Sequence, residues 1–424
     1  MKKLLLTLLS IVMVCSLVAC GSKTDEGTAG TGDSPVTISI WHTFTEGQEE
    51  LLNTIAKEYM DAHENVTVEV VNTGAASEFQ GKVTDSVING VGPNMIFEYA
   101  SFAKSFDIEG TDYLLSFEDY WDFDYKATLA SEGLYKEGTN FSDGKLHVAP
   151  VYTAGALLFC NQDIFDEAGV AVPTTWAELK EACKTIYEKT GVVGLSIDSL
   201  TDFAQLLIYQ CNGGQIVDLD KNEVAFNNEK VLEWLKWWEE GVDAGYFQVA
   251  AQAADGYNSS DINNGLIASY IGSSAGIPYL NVENLTVVRV PMMSEKDIEN
   301  AGIIWTRGAI GFNTGDEAEN AATADFAKYF IEQNERWVLE LNANTPYKAV
   351  TESATYQEHV ASDKALSALA EQIPYSFVAP VFTGVTEMRT ELSALMKGAA
   401  DPNFDAATAL TNCANNVNAA MRGE

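Results

Sequence analysis

The chain has 424 residues, 46% apolar and 10% aromatic, which suffices for two or three domains with real cores and excludes a disordered polymer. Its 61 Asp and Glu against 25 Lys and Arg leave a formal net charge of -36, a surface that repels phosphate backbones and excludes nucleic acid as a partner. Six cysteines without a Cys-x-x-Cys pair, and four scattered histidines, supply neither a disulfide framework nor a zinc set, so no metal and no cofactor are expected.

Lys2 and Lys3 precede an apolar run from Leu4 to Ala19, which closes on Leu17-Val18-Ala19-Cys20. A positive head, a run too short to span as a mature helix and small residues before a cut describe a secretory signal. The ending narrows this to a bacterial lipobox. Residues 1–20 are therefore expected to be a lipoprotein signal peptide, with Cys20 as the diacylglycerol-bearing new N-terminus; an ordinary signal peptide with a chance cysteine is the alternative. Two acyl chains hold a protein stably in a bilayer, at about 0.8 kcal/mol per buried methylene, where one holds it marginally. No later run approaches the roughly 18 apolar residues of a membrane span. Residues 21–35, rich in Gly, Thr, Ser and Asp without apolar periodicity, read as a flexible linker.

Residues 36–41 alternate as a strand and lead into a helix whose Leu51, Leu52, Ile55, Ala56 and Tyr59 recur at helical spacing. A strand at 66–71, a helix at 77–89 and, after the Gly92-Pro93 break, a short buried strand at 95–97 complete a parallel sheet with right-handed crossovers. Beyond Pro150, residues 157–160 form a strand and 162–168 a short helix. Thr174 or Thr175 then caps a helix to about residue 189, with Glu178 placed for a capping box. The helix at 231–244 carries Trp234, Trp237 and Trp238 on adjacent turns. Such a stripe could offer a carbohydrate platform, but aromatics at helical spacing more often pack in a core. Residues 266–271, 287–290 and 309–312 read as strands, and the last hundred residues as helices broken near Pro346, Pro374 and Pro380.

One catalytic pattern appears literally, Gly272-Ser273-Ser274-Ala275-Gly276, after a strand as a nucleophile elbow requires. No oxyanion-loop motif precedes it, and Pro278 interrupts the helix that should follow. The same turn suits hydrogen bonding to a ligand. Residues 218–223 carry alternate acids but lack the central glycine of a calcium loop, and read as a polar hairpin. What remains is a scattered set at strand ends and loops: Trp41, Glu98, Tyr99, Tyr152, Thr153, Tyr257, Ser273, Ser274, Trp305 and Tyr347. In open α/β sheets ligands sit beyond the carboxyl ends of strands, and aromatic faces stack on sugar rings while carboxylates and hydroxyls take up sugar hydroxyls.

Several segments resemble the family 1 extracellular solute-binding proteins, lipoprotein receptors of carbohydrate ABC importers. Ile38-Ser39-Ile40-Trp41-His42-Thr43-Phe44 is similar to the family's first strand and Trp-His turn. Gly144-Lys145-Leu146-His147-Val148-Ala149-Pro150, then residues 157–165, resemble its "GKLYGVP…LLYYNKDLF" signature. Ala168-Gly169-Val170, Pro173-Thr174-Thr175-Trp176-Ala177-Glu178-Leu179, Gly213-Gly214, Val290-Pro291-Met292 and residues 307–312 follow in family order. The resemblance covers essentially all of the chain after the leader and looks closest to the glycerol-3-phosphate-binding subgroup. Cys160 replaces the second tyrosine of the signature. Residues 381–385 lack the arginine that helps the subgroup hold its phosphate, which favours a neutral sugar and leaves Arg307 as the one cation for an acidic one.

The resemblance implies an α/β, two-lobed periplasmic-binding-protein type II fold, like that of maltodextrin-binding proteins, with a hinge between lobes. Lobe 1 would comprise 36–150 and 308–347, and lobe 2 would comprise 151–307 and 348–424. Arg307 and Gly308, on the crossover strand, join the candidate ligand-binding set. The implied function is a lipid-anchored receptor on the extracellular face of a Gram-positive cell membrane. As a monomer and not an enzyme, it would capture a sugar or oligosaccharide by hinge closure and deliver it to ABC permease subunits. A surface serine or glycan hydrolase, and a ligand-sensing receptor without transport, are the alternatives.

Overall fold

Ile38 and Ile40, both fully buried, alternate with more exposed neighbours along the first strand, β1 (Val36–His42). A computed structural model describes residues 34–44, 46–74, 76–296 and 298–424, of which 35–424 belong to one compact unit. The expected signal peptide, Cys20 and the linker up to residue 33 lie outside the described residues. Strand β1 pairs in parallel with β2 (Val66–Asn72) and β3 (Met95–Glu98), through crossover helices Glu46–Ala62 and Ala76–Ile88. This is the strand–helix alternation read from the sequence.

The middle of the molecule differs from that reading. Strand β4 runs from Val148 to Asn161, starting nine residues before the expected 157, as the two positions show. The remaining strands are β5 (Val193–Ile197), β6 (Val217–Asp218), β7 (Glu223–Val224), β8 (Ile267–Ser273), β9 (Leu285–Arg289), β10 (Ile303–Gly311) and β11 (Phe377–Val378). Strand β10 also starts well before the expected residue 309. Pro150, Thr153 and Gly155 break any apolar alternation in β4. Its extended backbone there is held instead by antiparallel pairing with β10, from Val148 opposite Ile310 to Gly155 opposite Ile304. The main sheet therefore runs β2-β1-β3-β10-β4-β8-β5, with β9 beside β4 and β11 beside β10. The register shifts between Arg307 and Gly308, and a Cβ at Gly308 would strike the Val148 side chain, so close strand approach requires glycine there.

Two main cores flank this sheet. One gathers Ile38, Ile55, Tyr59, Phe97, Phe326, Phe330 and Trp337. The other gathers Leu158, Trp176, Leu195, Phe203, Trp238, Phe382, Leu392 and Val417. The helices Val385–Gly398 and Ala406–Met421 pack there against Leu200–Cys211 and Glu229–Asp243. Thr175 and Glu178 form the expected capping box at the start of Trp176–Thr190. The tryptophan stripe is core: Trp238 is fully buried and its indole N–H donates to Met396 O at 2.9 Å, while Trp234 and Trp237 edge onto Trp176.

Residues 217–224 form the hairpin β6–β7, its turn closed by Lys221 Nζ on Asp218 at 2.7 Å. Cys160, Cys183, Cys211 and Cys413 are free thiols, and burial pushes Cys211 and Cys413 up to about 12. Among the described residues no helix is long and apolar enough to cross a membrane, and no three His, Cys, Asp or Glu side chains are grouped to hold a metal.

Candidate functional site

The paired strands β4 and β10 make the floor of a cleft of about 550 Å³. Tyr152 lies opposite Arg307 and Ala154 opposite Trp305, so the two-residue period puts Tyr152, Ala154, Ala156, Ile303, Trp305 and Arg307 on one face. Tyr99 and Ser101, just past the end of β3, line one wall with Glu137 of the helix Glu132–Gly138. The opposite wall carries Asp198, Ser199, Asp202 and Phe203, which follow β5, and Gly272 and Ser273 at the end of β8. Residues 378–381 and Arg389 of Val385–Gly398 also line the cleft. The carboxyl ends of β3, β5 and β8 thus all open onto it.

Two guanidinium groups face the cleft, each beside a carboxylate. Arg307 Nη2 stands 3.6 Å from Glu98 Oε1, with its guanidinium 5.2 Å from the centre of the Tyr99 ring. Glu98 lies behind it, its oxygens accepting from Gln80 Nε2 at 3.3 Å and the Tyr99 N–H at 2.7 Å. The buried Nε of Arg307 has no hydrogen-bond partner among the described residues. Arg389 Nη1 donates to Asp202 Oδ1 at 3.0 Å, and the Ser199 hydroxyl donates to Asp202 Oδ2 at 2.7 Å.

Two further carboxyl groups have neutral partners only. Asp198 Oδ1 accepts from Asn258 Nδ2 at 2.9 Å. Its other oxygen lies where a Cβ at Gly272 would stand, so a side chain at that position would displace it. Asp198 is exposed at the cleft, yet desolvation by the surrounding protein raises its carboxyl from the ordinary value. Glu137 accepts from the Thr306 hydroxyl, and burial pushes its carboxyl up to about 8.

Of the residues singled out in the sequence, Tyr99, Tyr152, Ser273, Trp305 and Arg307 line this cleft. Glu98 supports Arg307 from behind. Thr153 is turned into the protein, its hydroxyl donating to Asn344 O at 3.1 Å. Ser274 Oγ accepts from the Gly155 N–H at 3.2 Å, and the strand before it runs into a short 3₁₀ turn, Ser274–Tyr279, containing Pro278. Tyr347 is buried, its hydroxyl donating to Pro150 O at 2.7 Å. Gly308 sits within the sheet, and Trp41 packs against the cluster of Phe79 and Ile96. Tyr257 is 67% exposed, just before the Asn258 that holds Asp198.

Sequence reasoning passed over Ser101, Glu137, Asp198, Ser199, Asp202 and Arg389. Asp198 and Ser199 directly follow the apolar run of β5, which was a usable signal. The expectation that Arg307 is the one cation at the site is corrected by Arg389. It stands one helical turn beyond Val385, and both residues reach the cleft.

The fold resembles that of several solved proteins. The cyclic alpha-maltosyl-1,6-maltose binding protein of Arthrobacter globiformis is 23% identical and superposes with a TM-score of 0.80 over 92% of this chain and 100% of that one. The sugar-binding protein MalE of Xanthomonas citri is 16% identical, with a TM-score of 0.76 over 91% of this chain and 98% of that one. A stretch of 163 residues is 28% identical to the sn-glycerol-3-phosphate-binding periplasmic protein UgpB of Agrobacterium fabrum. That match spans only 35% of this chain and 35% of the relative. Residues 54–387, most of the chain, match the family described as bacterial extracellular solute-binding protein. With a cleft built at the strand ends of this two-core sheet, the chain belongs to the bacterial extracellular solute-binding protein family.

Proposed function

We propose that this protein is the receptor of an ABC importer that captures a sugar or oligosaccharide between two lobes, 36–150 with 308–347 and 151–307 with 348–424. The observation that carries this reading is the cleft floor, where Trp305 and Tyr152 share one sheet face with Arg307. Aromatic faces cover the apolar faces of sugar rings, while the guanidinium donates to sugar hydroxyls and Asp198 accepts from them. A ligand touching both walls would favour a closed form over an open one, and that form would dock on the permease subunits. The sugar ligands named for the solved relatives support the same class. We take the protein to act as a monomer without catalysis of its own. The engagement of Ser274 Oγ with the Gly155 N–H supports that view over a serine hydrolase.

The lipid anchor at Cys20, on the outer face of a Gram-positive cell membrane, belongs to the same proposal. It rests on the Leu17-Val18-Ala19-Cys20 ending. It would keep the receptor near its permease, with residues 21–35 for reach. Fatty-acid labelling of the exported protein, lost in Cys20→Ala, tests it; labelling that survives the substitution would remove Cys20 from that role.

A thermal-shift panel of mono- and oligosaccharides, polyols and glycerol 3-phosphate tests the ligand class. A solute at a hundred times its Kd adds about 2.7 kcal/mol of stability, a clear rise in Tm. Stabilisation by a peptide and by no saccharide would overturn the carbohydrate reading.

A further inference from the structure

We propose that the preferred solute is a sugar bearing a protonated amine, anchored by Asp198, and that sugars bearing phosphate or carboxylate are disfavoured. This rests on the carbohydrate reading above and names the ligand within it.

The argument is one of charge matching. Three carboxyl groups (Glu137, Asp198, Asp202) and two guanidinium groups (Arg307, Arg389) line the cleft. Both cations already have anionic partners, Glu98 at 3.6 Å and Asp202 at 3.0 Å. An entering anion would have to compete with these carboxylates and would sit near others. Glu137 and Asp198 have no Lys, Arg or His partner within 4.0 Å among the described residues; a threonine hydroxyl and an asparagine amide are the side chains bonded to them. Glu137 keeps its proton until about pH 8 and adds no charge below that, so the unmatched negative charge in the cleft is that of Asp198.

Closure around a ligand would expel water and strengthen whatever electrostatic pairing is left. A neutral hydroxyl can donate to the free oxygen of Asp198, but an ammonium donates there and also brings the Coulombic attraction of an opposite charge, which a hydroxyl lacks. The electron-rich face of Trp305 favours a nearby cation as well, whereas that of Tyr99 already holds Arg307. A net charge of -36 on the chain steers cationic solutes towards it and anionic ones away.

The test is calorimetric titration with one sugar frame in four forms: unsubstituted, amino, N-acetylamino and uronate, at a pH where the amine is protonated. The amino form is expected to bind about tenfold more tightly than the unsubstituted and N-acetylated forms, with the uronate weakest. Asp198→Asn should bring the ratio of amino-sugar to unsubstituted-sugar affinity to about one, whatever it does to the two affinities together. A uronate that binds as tightly as the amino sugar, or an amino form no tighter than the neutral one, would overturn the proposal from the wild-type ranking alone. Persistence of the preference in Asp198→Asn would remove Asp198 as the anchor. If another sugar frame binds but amination brings no gain, only this inference fails. If no saccharide binds in any form, the carbohydrate reading fails first.

Discussion

Asn140 donates through Nδ2 to the carbonyl of Val381 at 2.6 Å, joining segments 241 positions apart across one end of the cleft. On its own side, Asn140 is held by Lys104 Nζ, which bonds its carbonyl at 2.8 Å and Asp107 at 2.7 Å. Val381 lines the cleft beside Phe382, which is packed into the second core. The bond thus ties two firmly anchored segments. This bond is partly buried, and an intramolecular hydrogen bond has a net worth of about 0.5–1.5 kcal/mol, or roughly 2- to 13-fold in an equilibrium. Asn140→Ala should weaken all ligands by a common factor in that range while leaving their ranking unchanged. Titration of several ligands, with the distance between labels on the two sides of the cleft, checks this. Unchanged affinity and distance would show that the bond does not bias closure.

Glu137 makes stability depend on pH in a stated direction. Between the usual carboxylate range and about 8, the folded chain retains a proton that the unfolded chain has released. The unfolded state therefore binds fewer protons, and Glu137's contribution to stability falls as pH rises through that window. Glu137→Gln keeps a partner for Thr306 and cannot ionise. Its Tm should match the wild type near the acid end of the window and exceed it near about pH 8. Parallel Tm profiles for the two proteins would rule out this titration.

Trp305 is half-buried on the cleft floor, and only part of its surface is committed to the fold. Trp305→Ala should therefore cut sugar affinity by about tenfold or more, since ring stacking contributes area burial and about 0.5–1.5 kcal/mol beyond it. The melting transition should stay cooperative. Equal affinities in titration of both proteins would take Trp305 out of the site.

Trp238 makes the opposite case. Fully buried, bonded to Met396 O and stacked on Phe247, it should cost about 3–5 kcal/mol on replacement by alanine. Denaturant unfolding reads this directly. A stable Trp238→Ala protein that no longer binds sugar would return the tryptophan stripe to the role of a platform.

How far the sequence carried depended on whether the signal was local. The alternation in residues 36–41, the helical spacing of Leu52, Ile55 and Tyr59, the Thr175–Glu178 box and the 218–223 hairpin all express short-range chemistry, and the structure follows them. Of the aromatics read as strand-end residues, Tyr99 does follow β3, while Tyr152 and Trp305 line the cleft from within β4 and β10. The early stretch of β4 carried no such signal, because Pro150 to Gly155 are extended by their pairing with β10 and not by their own pattern.

The sequence by itself determined the parallel α/β start, the family and the acidic character of the surface, since each is written in contiguous residues or in composition. Only the tertiary structure decided which charges meet. Arg389 reaches Asp202 across 187 positions, Arg307 stands before Glu98, and Asp198 and Glu137 keep neutral partners. The physical reason is that such pairings follow from strand order and helix packing, which bring distant residues together with no periodicity along the chain to announce them.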